Sequence, residues 1–575
     1  MFKSSILNVG GYQTLKSSLR SYWSLFLVVL PAFLFAVLSL FETEIATFLM
    51  VLHPPSRDQG FSFYLDLVRL AAWEVLWLGF FLLLACVLMV YPSQGRLENV
   101  FNTGFKIKDQ YSVIVVVSVF FIVTLFISVD TLEQFPNSSD EYAYLFQAEM
   151  FSRGKLWVPA HDLPDFFHYN NIAQYEGILV SRFSPGWPLF LSAAFEAGIP
   201  AYLINPVLGV LTLIVFYFFA RYLYGERVAL WSLLALALSG FYVFNSASFF
   251  SHVFSLLVTL LFVCNLYLYD KSRNFLYGLL AGFFLGFLAI IDHYNALFVS
   301  LPLLFYVLYH YRFRSPHLLA FMAIGAIPFL IFLISYNYSI TGDPLLTVTG
   351  WTHPLEKLGF VKGHSFLKGI EHVIRWILLF FYWVSPGLLI LYFAFLYRKM
   401  KSRAERFLHA EDYFLLFLMF GYFFYHEVGG NQYGPRFLFE GFAFLILFVV
   451  SKVLQIREKW AMSLLLASVI YAVVKFPFIT QREGQILDER QDLYDLVDEQ
   501  RLSNAVVLVS SSTSPIRPMP ADDLTRNDGK YENDVIFALE LPEITGKLME
   551  YYNDRSFYRY IREPDDPHGE LVRIK

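Results

Sequence analysis

Charge is scarce in this chain. Lys, Arg, Asp and Glu make up 16% of its 575 residues, where a soluble globular chain carries about a quarter. Cysteine is nearly absent as well. Cys86 and Cys264 both fall inside apolar runs, which excludes a disulfide framework. There is no internal repeat, no low-complexity tract, no phosphate-cradling glycine loop and no zinc-type Cys/His spacing. A basic excess is missing too: 43 Lys and Arg face 48 Asp and Glu, so no nucleic-acid partner is expected.

What the chain has instead is apolar mass, 57% of residues, with 19% aromatics. Apolar runs of about 17–25 residues recur from Tyr22 to Phe476, each long enough to cross the hydrocarbon of a bilayer as a helix. The expected spans lie near 22–42, 68–91, 111–129, 203–221, 228–247, 252–269, 275–291, 295–311, 317–336, 373–397, 412–427, 436–454 and 459–477. The first is too long and too aromatic for a cleaved signal peptide. The fold class is therefore an all-α polytopic membrane protein of about thirteen spans.

Lys and Arg fall in alternate short loops, which sets the orientation. Lys3, Lys16 and Arg20 precede the first span, while the loop at 43–67 holds only Arg57. Basic residues return at Arg96, Lys106 and Lys108, at Arg221 and Arg227, at Lys271 and Arg273, and at Arg312 and Arg314. The cluster at 398–406 and then Lys452, Arg457 and Lys459 continue the series. About twenty basic residues thus sit on one side against about eight on the other before the tail, so the N-terminus is expected in the cytoplasm and the C-terminus outside.

Three outer stretches are too long to be connectors: 130–202, 337–372 and the tail from about 479. The tail is acidic, by about eight charges, a balance that speaks to solubility. It carries two β-like runs, Ala505 to Ser510 and Asp534 to Leu539, and a helix-like segment from Leu541 to Tyr552. These predict a small α/β domain docked on the membrane part.

The first outer stretch carries the sharpest signal. Tyr142, Leu145, Phe146 and Met150 recur at helical spacing and Gly154 is a natural stop. The pattern predicts an amphipathic helix along the outer membrane surface. Asp140 and Glu141 fall in its first turn, where the helix dipole favours carboxylates. Helix neighbours point about 100° apart, so the two cannot form a facing glycosidase-type pair. Ser138 with Glu141 three residues on also reads as a capping box, a purely structural device.

Two further segments share that side. Ser181-Arg-Phe-Ser-Pro-Gly-Trp-Pro-Leu-Phe190 puts a cation and a rigid turn where the chain re-enters the membrane. Asn431-Gln-Tyr-Gly-Pro-Arg-Phe-Leu-Phe-Glu440 puts Arg436 at the outer mouth of a span, where Arg or Glu can also merely snorkel.

Taken together, Asp-Glu-x-x-Tyr after an early span, Ser-Pro-Gly-Trp-Pro at re-entry and Tyr-Gly-Pro-Arg-Phe-Leu-Phe-Glu late in the chain resemble the GT-C glycosyltransferases. The likeness is to bacterial family 39-like enzymes, akin to protein O-mannosyltransferases and lipid A aminoarabinose transferases. Arg221-Tyr-Leu-Tyr-Gly-Glu-Arg227 and Ala281-Gly-Phe-Phe-Leu-Gly286 are in keeping with it. The resemblance implies two extra N-terminal helices (1–110), a GT-C core of about eleven spans (111–478) bearing the loops 130–202 and 337–372, and a small extracytoplasmic α/β domain (479–575).

The implied activity is transfer of a sugar from a polyprenyl-phosphate donor to an acceptor hydroxyl at the outer face, with inversion. Phosphate leaves without a general acid, whereas the hydroxyl needs a base. By resemblance that base is Asp140, with Glu141 the second catalytic candidate. Charge developing on the leaving phosphate needs cations. Arg436 is the first choice, then Arg182, with His252 as a further phosphate contact. Tyr144, Asp292, His293, Tyr433 and Glu427 are the remaining expected donor or acceptor contacts, although relatives often carry Arg-Pro where this chain has Asp292-His293. A divalent metal is left open, since His426-Glu427 with Asp140, Glu141 and His252 offer oxygen and nitrogen ligands at no recognised spacing. The loop at 337–372, with Trp351, His353 and Lys357, reads either as a gate or as plain surface. The expected partners are membrane lipids, the lipid-linked donor and a lipid, glycan or protein acceptor. The expected location is a prokaryotic plasma membrane. The alternatives are a lipid or glycan transporter and a GT-C scaffold that binds lipid without catalysis. A transporter calls for intramembrane charges and broken helices in paired halves.

Overall fold

The computed structural model describes residues 30–31, 33–52, 61–103, 109–311, 316–352, 354, 358–361, 364–402, 409–429, 432–510, 512–513, 518–519, 521–562, 566 and 568–575. Expectations placed on Lys3, Lys16, Arg20, Arg57, Lys106, Lys108, Arg312, Arg314, His353, Lys357, Asn431, residues 22–29 and 32 of the first run and residues 403–406 of the basic cluster lie outside these residues.

Among the described residues, seven helices are long and apolar enough to cross a membrane. They are Ala71–Val90, Tyr111–Thr131, Ala201–Tyr224, His252–Ser272, His317–Thr341, Arg436–Ile456 and Lys459–Glu499. An eighth span is formed if Glu226–Ala237 and Gly240–Ala247, bent by 64°, count together. The expected runs at 275–291, 295–311 and 412–427 are helices too, Phe275–Ile291, His293–Tyr311 and Phe414–Tyr422. The run at 373–397 is not one helix. Phe366–Trp383 ends at Val384, and Ser385 caps Pro386–Lys401 by accepting the Gly387 N–H at 3.1 Å. Ser at the cap followed by Pro starts a new helix rather than continuing an old one. The helix expected from 68 already begins at Phe61.

Arg436–Ile456 is the central helix, buried along most of its length, while His317–Thr341 lies almost wholly on the outside. The outer helix is held by glycine. A Cβ on Gly282 would stand 2.0 Å from the Met322 carbonyl oxygen, and one on Gly325 would stand 2.1 Å from that of Leu279. In lipid, helices associate by such close backbone packing rather than by hydrophobic burial. Gly282→Val is therefore expected to destabilise this helix pair by about 1–3 kcal/mol, read as a lower melting temperature of the detergent-solubilised protein. An unchanged melting temperature contradicts the packing argument.

The N-terminal helix Phe61–Val90 is tied to the core by charge. The Lys475 ammonium lies 2.7 and 3.0 Å from the two carboxylate oxygens of Glu74 and donates to the Tyr471 hydroxyl at 3.0 Å. Charges inside a membrane span persist when paired in this way.

The last span runs on as a single 41-residue helix, Lys459–Glu499. At 1.5 Å per residue it is about 60 Å long, twice the hydrocarbon thickness, so the boundary expected at 478 falls inside a continuous rod. Beyond it lies a four-stranded sheet. Ala505–Val509 pairs in parallel with Val535–Leu539 and with Ser556–Ile561, and Glu570–Arg573 adds an antiparallel edge. With the helix Thr545–Tyr551 this is the small α/β unit read from the tail. Its core is not its own, because Phe166 and Phe167 of the first outer loop complete it. Arg526 fastens the two, donating to the Pro136 carbonyl at 2.9 Å with its guanidinium over the rings of Phe135 and Tyr142. The third outer stretch joins the same face, where Thr349 donates to the Arg182 carbonyl at 2.6 Å. All three long stretches therefore meet on one side of the bundle.

Candidate functional site

The helix expected after the third span is Ser139–Ser152. Its cap is the predicted box: Ser138 Oγ accepts the Glu141 N–H at 3.1 Å and donates to the Glu141 carboxylate at 2.9 Å. The other Glu141 oxygen accepts the Phe249 N–H at 2.9 Å. Glu141 is 1% exposed, and burial pushes its carboxyl up to about 7 against the pull of those two hydrogen bonds. Both its oxygens are thus engaged, one by the Ser138 hydroxyl and the other by the Phe249 backbone.

Phe249 sits in an unwound stretch, 248–251, between the helices Gly240–Ala247 and His252–Ser272. Backbone polar groups at membrane depth must find partners. Here Glu141 takes the Phe249 N–H, the Trp187 indole donates to the Phe249 carbonyl at 2.9 Å, and the Asn205 amide donates to the carbonyls of Ser248 and Phe250. Trp187 belongs to the re-entry helix Gly186–Glu196. That helix starts on glycine because a Cβ at Gly186 would lie 2.7 Å from the Ile290 carbonyl oxygen. Three segments far apart in sequence are thereby locked around the backbone of residues 248–250. Glu141→Ala, which strands the Phe249 N–H, is expected to cost about 1–3 kcal/mol, whereas Glu141→Gln keeps an acceptor there. The raised carboxyl binds its proton more tightly in the folded than in the unfolded state. Stability is therefore expected to fall as pH rises from the ordinary carboxylate range to about 7 in wild type, and not in Glu141→Gln. Melting temperatures of the two variants across that window test both statements.

Asp140 points elsewhere. One of its oxygens accepts from the Asn171 amide at 2.7 Å and the other lies 3.3 Å from the Arg436 guanidinium. Asp140 keeps a quarter of its side chain exposed, while Arg436 keeps only 8%. Arg436 stacks on Phe250 of the unwound stretch, its guanidinium carbon 3.8 Å from the ring centre, and its Nε has no hydrogen-bond partner among the described residues. The turn that presents it is set by Gly434 at φ +101°, where a side chain would also strike Phe241. Tyr433, expected as a substrate contact, is fully buried. Its hydroxyl accepts from Asn137 at 3.2 Å and its carbonyl from Asn245 at 2.9 Å. Carboxylate and guanidinium, from residues almost three hundred positions apart, thus meet at the mouth of the central helix.

Residues 173–347 match the model of the Alg9-like mannosyltransferase family. Two crystal structures of ArnT from Cupriavidus metallidurans align with the chain at 12% identity. The form bound to undecaprenyl phosphate covers 80% of this chain and 97% of its own, at a TM-score of 0.49. The apo form covers 78% and 92%, at 0.50. The fold is that of the GT-C glycosyltransferases. No curated protein matches the sequence significantly.

Within this GT-C frame the other expected residues divide. Tyr144 packs on Phe183 at 4.5 Å and lies in the fields of Asp140, Arg436 and Asp292; burial pushes its phenol up. The charges of Arg436, Asp292 and Asp140 also act on the His252 imidazole. Asp292 caps the helix His293–Tyr311, one oxygen accepting the N–H groups of Tyr294 and Asn295 at 3.0 Å each, and His293 stacks on Tyr294. The Arg182 guanidinium lies over the Phe183 ring, 5.4 Å from its centre, and Phe183 packs on Tyr144. The Arg182 charge acts on Glu427, whose carboxyl is held below the usual range mainly by His426, 3.3 Å away. Asp140, Glu141, His252, His426 and Glu427 do not assemble as ligands: among the described residues no three His, Cys, Asp or Glu side chains gather to hold a metal.

Sequence reasoning missed Asn171. It sits at φ +69°, a conformation Asn tolerates better than most residues, and its amide donates to both Ser139 and Asp140. The paired Asn170-Asn171 in a loop was the available signal.

Proposed function

We propose that this protein is an inverting membrane glycosyltransferase. It moves a sugar from a polyprenyl-phosphate donor to an acceptor hydroxyl on the extracytoplasmic face, with its N-terminus in the cytoplasm of a prokaryotic cell. The observation that carries the reading is the Asp140–Arg436 pair. Without substrate each group neutralises the other. A donor entering from the bilayer places its phosphate on Arg436 and releases the Asp140 carboxylate for the acceptor hydroxyl. A carboxylate oxygen has lone pairs to spare beyond the one shared with Asn171, so Asp140 can take that proton as the glycosidic bond forms and the phosphate leaves. Arg436 and His252 meet the charge growing on the phosphate, and Glu141 keeps Asp140 in place by holding the backbone of Phe249.

The bent pair of helices and the unwound stretch at 248–251 favour a second reading, a transporter, since broken helices often coordinate cargo. Against it, the backbone groups that Glu141, Trp187 and Asn205 engage there are not free for cargo. Membranes containing the protein, supplied with a panel of labelled polyprenyl-phosphate sugars, separate the two. Transfer of label into a new glycosidic bond is expected. Movement of sugar with no new bond indicates the transporter. No transfer from a panel that a control enzyme uses refutes the proposal.

A further inference from the structure

We infer that Glu440 is a positioning residue for the donor phosphate, acting through His252; this rests on the glycosyltransferase reading above. The motif alone lets Glu440 snorkel to the interface, but it is fully buried, in the first turn of the helix Phe439–Ile456 and four residues after Arg436, which lies in the tighter turn Arg436–Leu438 before it. Its Oε1 lies 3.7 Å from His252 Nδ1. That is too long for a hydrogen bond and short enough for strong attraction between charges in a dry site. Ser255 and Asn295 face the same carboxylate. Neither Glu440 oxygen, nor His252 Nδ1, Ser255 Oγ or Asn295 Nδ2, has a hydrogen-bond partner among the described residues. Asn295 is meanwhile held by the Tyr422 hydroxyl at 2.8 Å.

A lone buried carboxylate is costly, so Glu440 and His252 hold one proton between them. The pair is neutral overall whichever group carries it. Phosphate arriving on Arg436 brings negative charge beside the imidazole, since the Arg436 and Asp140 charges already reach that ring. The proton then rests on His252, Nδ1–H donates to Glu440, and the imidazolium joins Arg436 against the phosphate.

The test uses the full-length protein in nanodiscs with whichever polyprenyl-phosphate sugar of the labelled panel it transfers. Glu440→Gln is expected to raise the donor KM about tenfold, the size of one charge-assisted hydrogen bond, with a smaller fall in kcat because charge grows on the leaving phosphate. Glu440→Asp should recover part of the loss. Combining Glu440→Gln with His252→Gln should cost no more than His252→Gln alone, because the two act as one unit. Additive losses, or an unchanged donor KM, overturn the inference. If wild type transfers no sugar, the functional reading fails, and binding of undecaprenyl phosphate, read as a thermal shift, applies the same additivity test to the pair. If Glu440→Gln does not fold, Glu440→Asp alone and with His252→Gln replaces it.

Discussion

Asp140→Asn is expected to lower the rate of sugar transfer by about 10²–10⁴-fold, the usual worth of a positioned general base. The substitution is nearly isosteric. The Asn171 amide can still donate to the remaining carbonyl oxygen, as it does to Asp140 at 2.7 Å, so the first turn of Ser139–Ser152 should keep its geometry. What disappears is the carboxylate that the proposed mechanism uses to accept the hydroxyl proton. The donor KM should not rise, since on the proposed mechanism the phosphate takes Arg436 from Asp140 and asparagine no longer competes for it. A carboxylate that merely neutralised Arg436 would give another result, in which donor binding tightens in the same way and transfer persists. Initial rates at saturating and limiting donor, with both proteins present in equal amounts, distinguish the two. Transfer by Asp140→Asn at the wild-type rate removes Asp140 from catalysis.

That pair was half legible in the sequence. Ser138-x-x-Glu141 fixed the start of the loop helix by local chemistry alone, and Gly154, at φ +68°, follows its end as expected. The apolar runs located the principal spans because hydropathy and length are local properties. Division of labour between Asp140 and Glu141 was not local. It depends on Phe249, more than a hundred residues away, which engages Glu141 and leaves Asp140 to Asn171 and Arg436. The choice between Arg182 and Arg436 has the same origin, since both are cations on the outer side and only the folded chain sets the Arg436 guanidinium against Asp140. The break before Pro386 was written in Ser385-Pro386 but hidden by an uninterrupted apolar run. Sharing of Phe166 and Phe167 with the tail left no sequence mark, because a buried aromatic in a loop looks like any membrane-surface aromatic.

Arg436 carries the other large expected effect. Arg436→Met should lower kcat/KM for the donor by about 10²–10³-fold, comparable to removing one preorganised charge from a developing oxyanion. Both parameters should change, because phosphate is bound in the ground state and bears more charge as it leaves. Arg436→Lys should restore only a small part of the loss. Lysine returns the charge, but it has neither the planar fork for two phosphate oxygens nor the face that lies 3.8 Å over Phe250. That stacking fixes the guanidinium across the Asp140 carboxylate, so on the proposed mechanism it would also set where the phosphate stops relative to the base. A lysine variant with near-normal kcat and a raised KM would mean that charge alone matters and that the position is fixed elsewhere. Wild-type kinetics in both variants would place the phosphate away from Arg436 and direct attention to Arg182, the other cation on this face.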